Sequence, residues 1–494
     1  GGAGETYEPS FTFHGFRYVE VTGYPGKPDL DAIRGIVVGT NVPKTGEFES
    51  SNPMVNQLQH NIYWGMRGNY LEVPTDCPQR DERLGWMGDA QIFIRTATFN
   101  NDVASFMTKW TQDVVDAQTA EGAFSDVSPK ILVTNDGSPA WGDAGVIVPW
   151  TIYLTYGDKR LLAERYDSMK AWVDYIAKSN PEHLWLNRRG NDYGDWVNIG
   201  ADMPREVIAT AYFAHSTDLV SRAARVLGKG ADAAKYERLF GQIKAAFVRE
   251  FVAADGRIKG DTQTCYLLAL RFGLLPPEMI NKAGQRLVDD IMVKRKGHLS
   301  TGFVGVGHLT PTLTQIGRTD IAYKMLLNDT FPSWGYTIKQ GATTIWERWD
   351  GWTEEKGFQD PGMNSFNHYA FGSIGEWMYA VVAGIDLDPS APGYEKIVIR
   401  PRPGGGITWA RGALDSVRGR IESSWKLSGG AFTLKVVVPA NTTATVYVPA
   451  KDVGLVMEGK LRAVDSTGVK FLRMDAGSAV FEVGSGSYEF TAKR

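Results

Sequence analysis

Between about residue 53 and residue 385, apolar side chains recur every three or four positions, and no strand pattern alternates with them. Val103, Phe106, Met107, Trp110 and Val114 form one such stripe. Leu162, Tyr166, Met169, Val173 and Ile176 form a second, and Tyr236, Leu239, Phe240, Ile243 and Phe247 a third. That spacing puts one apolar face on each helix. Without interleaved strands, a TIM barrel or a Rossmann sheet is disfavoured. At usual helix and loop lengths the region holds about a dozen helices. A double-layered helical toroid fits that number, although periodicity alone does not separate it from another helical array.

After Pro389 the period changes to two. Phe432, Leu434, Val436 and Val438 alternate with Thr433, Lys435 and Val437, a turn follows at 439–442, and Ala444, Val446 and Val448 return on one face. A C-terminal β-sandwich of about 100 residues is the simplest reading. At the other end, Phe11-Thr12-Phe13 and the run from Phe16 to Val21 predict short strands, with Gly15 as a bulge or turn between them. The expected architecture is mainly α with β: a short N-terminal β segment over 1–50, a helical domain over 51–386 and a sandwich over 387–494.

The net charge of −3 is spread along the 494 residues, with no basic stripe, so a nucleic-acid partner is disfavoured. No apolar run approaches the roughly 20 residues that cross a bilayer, so no membrane partner is expected. The first residues lack a basic stretch followed by an apolar one, so no signal peptide is expected here, and the compartment and oligomeric state stay open. Two cysteines, Cys77 and Cys265, make no disulfide framework. None of the seven histidines stands with another His or Cys at a metal-ligand spacing, so neither a metal nor a cofactor is expected.

Chemistry concentrates in two places. From Asp76 to Asp89, four carboxylates (Asp76, Asp81, Glu82, Asp89), Arg80, Arg83 and Trp86 fall within 14 positions. Pro78, Gly85 and Gly88 break any regular helix there, and the apolar Ile92-Phe93-Ile94 follows. A self-paired, solvated charge run is the usual meaning of such a cluster. Here the interleaved Gly and Trp place it instead on a loop at the mouth of packed helices. The second cluster, from Thr343 to Trp352, holds Glu347 between Trp346 and Trp349, with Arg348 adjacent. Trp86, Trp141, Trp196, Trp346 and Trp349 each adjoin a Gly, Asp or Glu, which suggests sugar-stacking walls, although core packing is the commoner role of any single Trp. Glycoside hydrolysis needs an acid to protonate the departing oxygen and a second carboxylate on the other face of the ring. Two distant carboxylate clusters, each beside Trp, suit that demand without naming the sugar.

The Asp76–Asp89 run closely resembles the signature of glycoside hydrolase family 78, the α-L-rhamnosidases. Supporting likeness extends over essentially the whole chain: the stretch from Phe13 to Tyr18, Trp141-Gly142-Asp143, Asp195-Trp196, the run from Trp346 to Trp349, and His368. The resemblance implies an (α/α)6 toroid followed by a β-sandwich. It implies an inverting mechanism with Glu82 as general acid and Glu347 as general base. It further implies that Asp76, Arg80, Asp89 and His368 hold the sugar, and that Trp86, Trp141 and Trp196 line the pocket, where an apolar wall suits the C6 methyl of rhamnose. Asp81 and Arg83 are expected to support the loop. The substrate would be a rhamnosylated small molecule or oligosaccharide. Members of the family carry further N-terminal β-domains, and 1–50 is read as the end of one. A helical-toroid enzyme for another sugar, a phosphorylase and a non-catalytic sugar-binding relative are the rival readings.

Overall fold

The computed structural model describes residues 4–493. The helical body pairs an outer helix with an inner one six times. The hairpins are α1 (Pro53–Asn69) with α2 (Met87–Asn100), and α3 (Ala104–Asp116) with α4 (Ala144–Tyr156). Next come α5 (Lys159–Ser179) with α6 (Arg205–Val226), and α7 (Gly230–Phe251) with α8 (Gln263–Arg271). Then α9 (Pro277–Asp289) pairs with α10 (Phe303–Gln315). Last, α11 (Thr319–Leu327) and the short α12 (Trp334–Lys339) precede a final helical stretch, Tyr369–Ala383, which begins as a 3-10 helix.

The inner members close on themselves: α2 packs on α4, α4 on α6, α6 on α8, α8 on α10, α10 on the final stretch, and that stretch on α2. This is the (α/α)6 toroid. Burial follows the layers. Every residue of α2 except Arg95, and of α8 except Arg271, is buried, whereas outer α9 buries only Ala283, Gly284, Leu287 and Val288. The predicted apolar stripes belong to α3, α5 and α7, all outer helices with one buried face. Inner α2 and α8 are enclosed on every side, with polar residues such as Gln91, Thr96 and Gln263 buried too, so neither shows a one-sided apolar stripe.

Two-residue ladders join Tyr70–Leu71 (β2) to Val73–Pro74 (β3) and Trp352–Thr353 (β4) to Gly357–Phe358 (β5). The sandwich is built from β6 (Ile385–Leu387), β7 (Lys396–Ile399), β8 (Trp409–Ser416), β9 (Gly419–Ser428), β10 (Ala431–Val438), β11 (Thr443–Pro449), β12 (Val456–Glu458), β13 (Leu461–Arg462), β14 (Val469–Asp475), β15 (Ser478–Val483) and β16 (Gly486–Lys493). One sheet runs β1-β8-β9-β10-β16-β12-β13, with β1 at Gly46–Ser50, and the facing sheet runs β14-β15-β11-β7-β6. The alternation read from the sequence is the alternation of burial, since Phe432, Leu434, Val436, Val438, Ala444, Val446 and Val448 all point into the core. Trp425 Nε1 and Ser423 Oγ donate to the carbonyls of Val382 and Ala383, fastening the sandwich to the end of the toroid.

The N-terminal region departs from expectation. Neither Phe11–Phe13 nor Phe16–Val21 forms a strand. Phe11 takes a left-handed φ of 60°, which ends an extended run, and Phe11, Phe16 and Tyr18 are exposed. Among the described residues no strand pairs with this segment, and a lone extended segment cannot satisfy its own backbone. The strand that forms before the toroid is β1, which pairs antiparallel with β8 at the edge of the C-terminal sheet.

Candidate active site

The connections from each outer helix to the next inner one carry the polar clusters, so these gather at the N-terminal ends of the inner helices. There a cavity is lined by Arg80, Glu82, Trp86, Asp89, Trp141, Tyr193, Trp196, Phe303, Glu347, Met363 and His368.

The α1–α2 connection supplies one wall. It is pinched at its base, where Asp76 N donates to Leu84 O at 3.0 Å and Leu84 N to Asp76 Oδ1 at 2.9 Å. Glu82 projects from this loop. Its Oε1 accepts from Trp86 Nε1 at 2.7 Å, and its Oε2 from Arg80 Nε at 2.8 Å. Arg80 also reaches across the cavity, where its Nη1 donates to Glu347 Oε2 at 3.1 Å. Burial works against the Arg80 charge, but Glu347 and the other neighbouring acids outweigh it and hold the guanidinium firmly protonated.

Glu347 comes from the α12 connection, and its side chain is only 2% exposed. Its N–H donates to Ser365 O at 2.9 Å and that of His368 to Ile345 O at 2.8 Å, so 345–347 and 365–368 lie zipped together. His368 Nε2 lies 2.6 Å from Asp89 Oδ1, and its Nδ1 is 4.0 Å from Glu347 Oε2. Burial disfavours the imidazolium, yet Glu347 and Asp89 more than compensate and push the His368 pKa up to about 9. Asp89 sits in the first turn of α2, where a carboxylate suits the helix dipole.

Aromatic rings close the remaining wall. Tyr193 lies at its centre, 4.5 Å from Trp141, 5.7 Å from Trp86 and 5.9 Å from Trp196 between ring centroids. The acids that adjoin these tryptophans in sequence are buried anchors. Asp143 accepts from Trp172 Nε1, Ser216 Oγ and the Ala140 N–H, which fixes the turn bearing Trp141. Asp195 accepts from Thr264 Oγ1 and the N–H groups of Gly302 and Gly305, while Phe303 N donates to Trp196 O. Gly88 is required by contact, because a Cβ there would lie 2.4 Å from the Trp141 ring.

Of the site residues expected from sequence, Glu82, Glu347, Arg80, Asp89, Trp86, Trp141, Trp196 and His368 meet on this cavity. Asp76 does not line it. It lies beneath, fully buried, with Oδ2 3.5 Å from Arg80 Nη2, and burial pushes its carboxyl up to about 6. Trp346 and Trp349 are core residues instead. Trp346 packs edge-on against Phe366, while Trp349 stacks on Phe371 at 4.1 Å and donates to Thr301 O. Long connections stack on one another as well as on the cavity, so a Trp beside a carboxylate can be buried between loops. Tyr193, Phe303 and Met363 were missed: Tyr193 stands outside any periodic run, and Phe303 reads as the first apolar residue of a helix.

Cys77 and Cys265 are both buried and unpaired. Among the described residues, the group of ligand-type side chains close enough to share a metal ion is Asp76, Cys77 and Glu82. It is poorly suited to one. Arg80 already sets its guanidinium against both carboxylates, and burial together with Asp76 pushes the Cys77 thiol up, away from the thiolate a metal prefers.

Residues 43–382 match the bacterial α-L-rhamnosidase six-hairpin glycosidase domain. The chain belongs to the bacterial α-L-rhamnosidase family. Residues 384–462 match that family's C-terminal domain and residues 1–39 its concanavalin-like domain. An α-L-rhamnosidase of Streptomyces avermitilis is 52% identical over 487 residues, covering 99% of this chain and 46% of the relative. A solved structure of Streptomyces avermitilis α-L-rhamnosidase complexed with L-rhamnose superposes with a TM-score of 0.94 at 51% identity, covering 99% of this chain and 46% of that one. The α-L-rhamnosidase structure from Dictyoglumus thermophilum gives 0.92 at 38% identity, with 99% and 55% covered. The chain thus spans about half the length of the rhamnosidases it matches.

Proposed function

We propose that this chain is the catalytic part of an inverting α-L-rhamnosidase, which hydrolyses terminal α-L-rhamnose from small glycosides or oligosaccharides. The observation that carries this reading is the pair of carboxylates, Glu82 and Glu347, facing one cavity from distant connections and bridged by Arg80.

In the reaction, Glu82 is the general acid. Its proton goes to the glycosidic oxygen as the bond from the anomeric carbon to that oxygen breaks. Glu347 is the general base and takes a proton from water as its oxygen attacks the opposite face, which inverts the anomeric carbon. Arg80 and Trp86 orient Glu82, and each step of acid–base help contributes roughly 10²–10⁴-fold. The His368–Asp89 pair and Arg80 offer charged hydrogen-bonding groups to the sugar hydroxyls, and Asp76 acts from beneath by holding Arg80. Tyr193, Trp141, Trp196 and Phe303 form an apolar wall suited to a methyl-bearing sugar such as rhamnose. The sugar named for the Streptomyces avermitilis structure supports that choice.

The test is hydrolysis of an aryl α-L-rhamnoside beside aryl glucosides, with the first-formed sugar followed by NMR. Release from the rhamnoside alone, with β-L-rhamnose appearing first, is the expected result. Folded wild-type protein that binds rhamnose without releasing the phenol would make it a sugar-binding relative instead.

A further inference from the structure

The loop that bears Glu82 is fastened at its base through Asp76 and Leu84, and it is fastened a second time from outside. Arg83, the next residue, adopts a left-handed φ of 51° that turns its side chain toward the N-terminal segment. Its Nη1 donates to Phe13 O at 2.7 Å, and its guanidinium lies over the Phe13 ring, 5.0 Å from the centroid. Two residues on, Gly15 N donates to Pro78 O at 3.1 Å. The fit is tight, because a Cβ on Gly15 would lie 2.8 Å from Pro78 Cγ and 3.1 Å from Gln79 Cβ. Further along, Arg17 Nη2 donates to Gly341 O at 3.4 Å, at the start of the connection that carries Glu347. The segment 13–17 therefore straps together the two connections that supply the carboxylates.

A left-handed non-glycine residue costs free energy and persists only where its surroundings impose it. Here Arg83 is held between the Asp76–Leu84 hydrogen bonds at the base of the loop and the Phe13 contacts outside it, one residue from the carboxylate at issue. Asp81, on the other side of Glu82, is fully exposed and approaches Arg83 only to 3.7 Å, so it does not substitute for the strap.

We propose that Arg83, clamped by the Phe13–Gly15 strap, is a positioning residue that sets the orientation of Glu82 for protonating the leaving group. The proposal rests on the assignment of Glu82 as general acid. The Arg83 side chain meets Phe13 and Asp81 and lies outside the cavity wall, so it acts through the loop backbone.

Leaving-group dependence separates positioning of an acid from a general loss of structure. A 2,4-dinitrophenolate departs without a proton, whereas an unsubstituted phenol needs one. Rates on phenyl and 2,4-dinitrophenyl α-L-rhamnosides are measured for wild type, Arg83→Ala, Arg83→Lys and Gly15→Val, with thermal unfolding of each. Arg83→Ala is expected to lower kcat on the phenyl glycoside about tenfold or more, part of the general-acid contribution, with less than about a twofold change on the dinitrophenyl glycoside. Arg83→Lys should restore part of the phenyl rate. Gly15→Val perturbs the strap from outside the loop and should shift the ratio the same way, which keeps the test valid if Arg83→Ala does not fold. Equal losses on both substrates, or no loss on either, overturn the positioning role. Wild type inactive on both substrates overturns the underlying assignment of function, a result distinct from the other two.

Discussion

The two carboxylates proposed as acid and base are held in opposite ways. Glu82 stands on an irregular loop with its side chain 30% exposed, held by Trp86, by Arg80 and by a strap from the far N-terminus. Glu347 is 2% exposed on a segment zipped by backbone hydrogen bonds to 365–368 and backed by Trp349 stacked on Phe371. The difference matches the proposed labour. A proton donor must meet leaving groups of varied shape at the rim, whereas a base must hold one water against one face of one sugar. The loop side trades rigidity for access, and the buried side takes its precision from packing.

The sharpest way to break that comparison is to neutralise each acid. Glu347→Gln should lower kcat by roughly 10²–10⁴-fold on every aryl rhamnoside, whereas Glu82→Gln should do so only where the leaving group needs a proton. Steady-state rates across phenols of graded acidity decide it, and parallel losses for both variants would erase the distinction.

A second contrast is in pH. His368 sits on the buried side with its pKa raised from 6.5 to about 9, so the stabilisation from its contacts with Asp89 and Glu347 is complete below pH 6.5. It is then lost as the pH rises through about 9. Denaturant unfolding should show stability falling over that window by at least about 1.4 kcal/mol, one pKa unit's worth. His368→Gln should remove the slope, and an unchanged slope would place its origin elsewhere.

Hydrogen exchange offers a smaller but direct comparison. The amides of Glu347 and His368, which donate to Ser365 and Ile345, should exchange roughly tenfold or more slowly than those of Gln79, Asp81 and Glu82. Equal protection would mean that the strap makes the loop as rigid as the zipped segment. The smallest effect is expected from Trp349→Phe, which keeps the stack on Phe371 and leaves the buried Thr301 carbonyl without its indole donor. A loss of about 1 kcal/mol in unfolding free energy is expected.

Much of this molecule was legible in one dimension because the forces responsible act locally. The helical stripes of α3, α5 and α7 and the alternation of β10 and β11 are statements about period, and period is set by which face meets the core. The clusters around Glu82 and the Trp-flanked Glu347 stood out because they combine carboxylates, Arg, Gly and Trp as a solvated surface loop rarely does, and the first of them matched a family signature. Other features depend on partners distant in sequence. Trp349 and Trp196 look alike in sequence, and only the stacking of connections sends one to the core and the other to the cavity. Phe11 and Tyr18 have strand character, yet a strand exists only where another strand accepts its hydrogen bonds. Gly46–Ser50, with little to commend it, becomes one because β8 leaves an edge open. Tyr193 carries no signal of its own, and its place amid three tryptophans is decided by the closing of the inner ring. Period thus marked out a helical region followed by a sandwich, and the resemblance to family 78 implied the toroid and nominated the two acids. Ring closure determined which of the nominated side chains share a cavity, because distance across a fold is a property of packing and not of chain order.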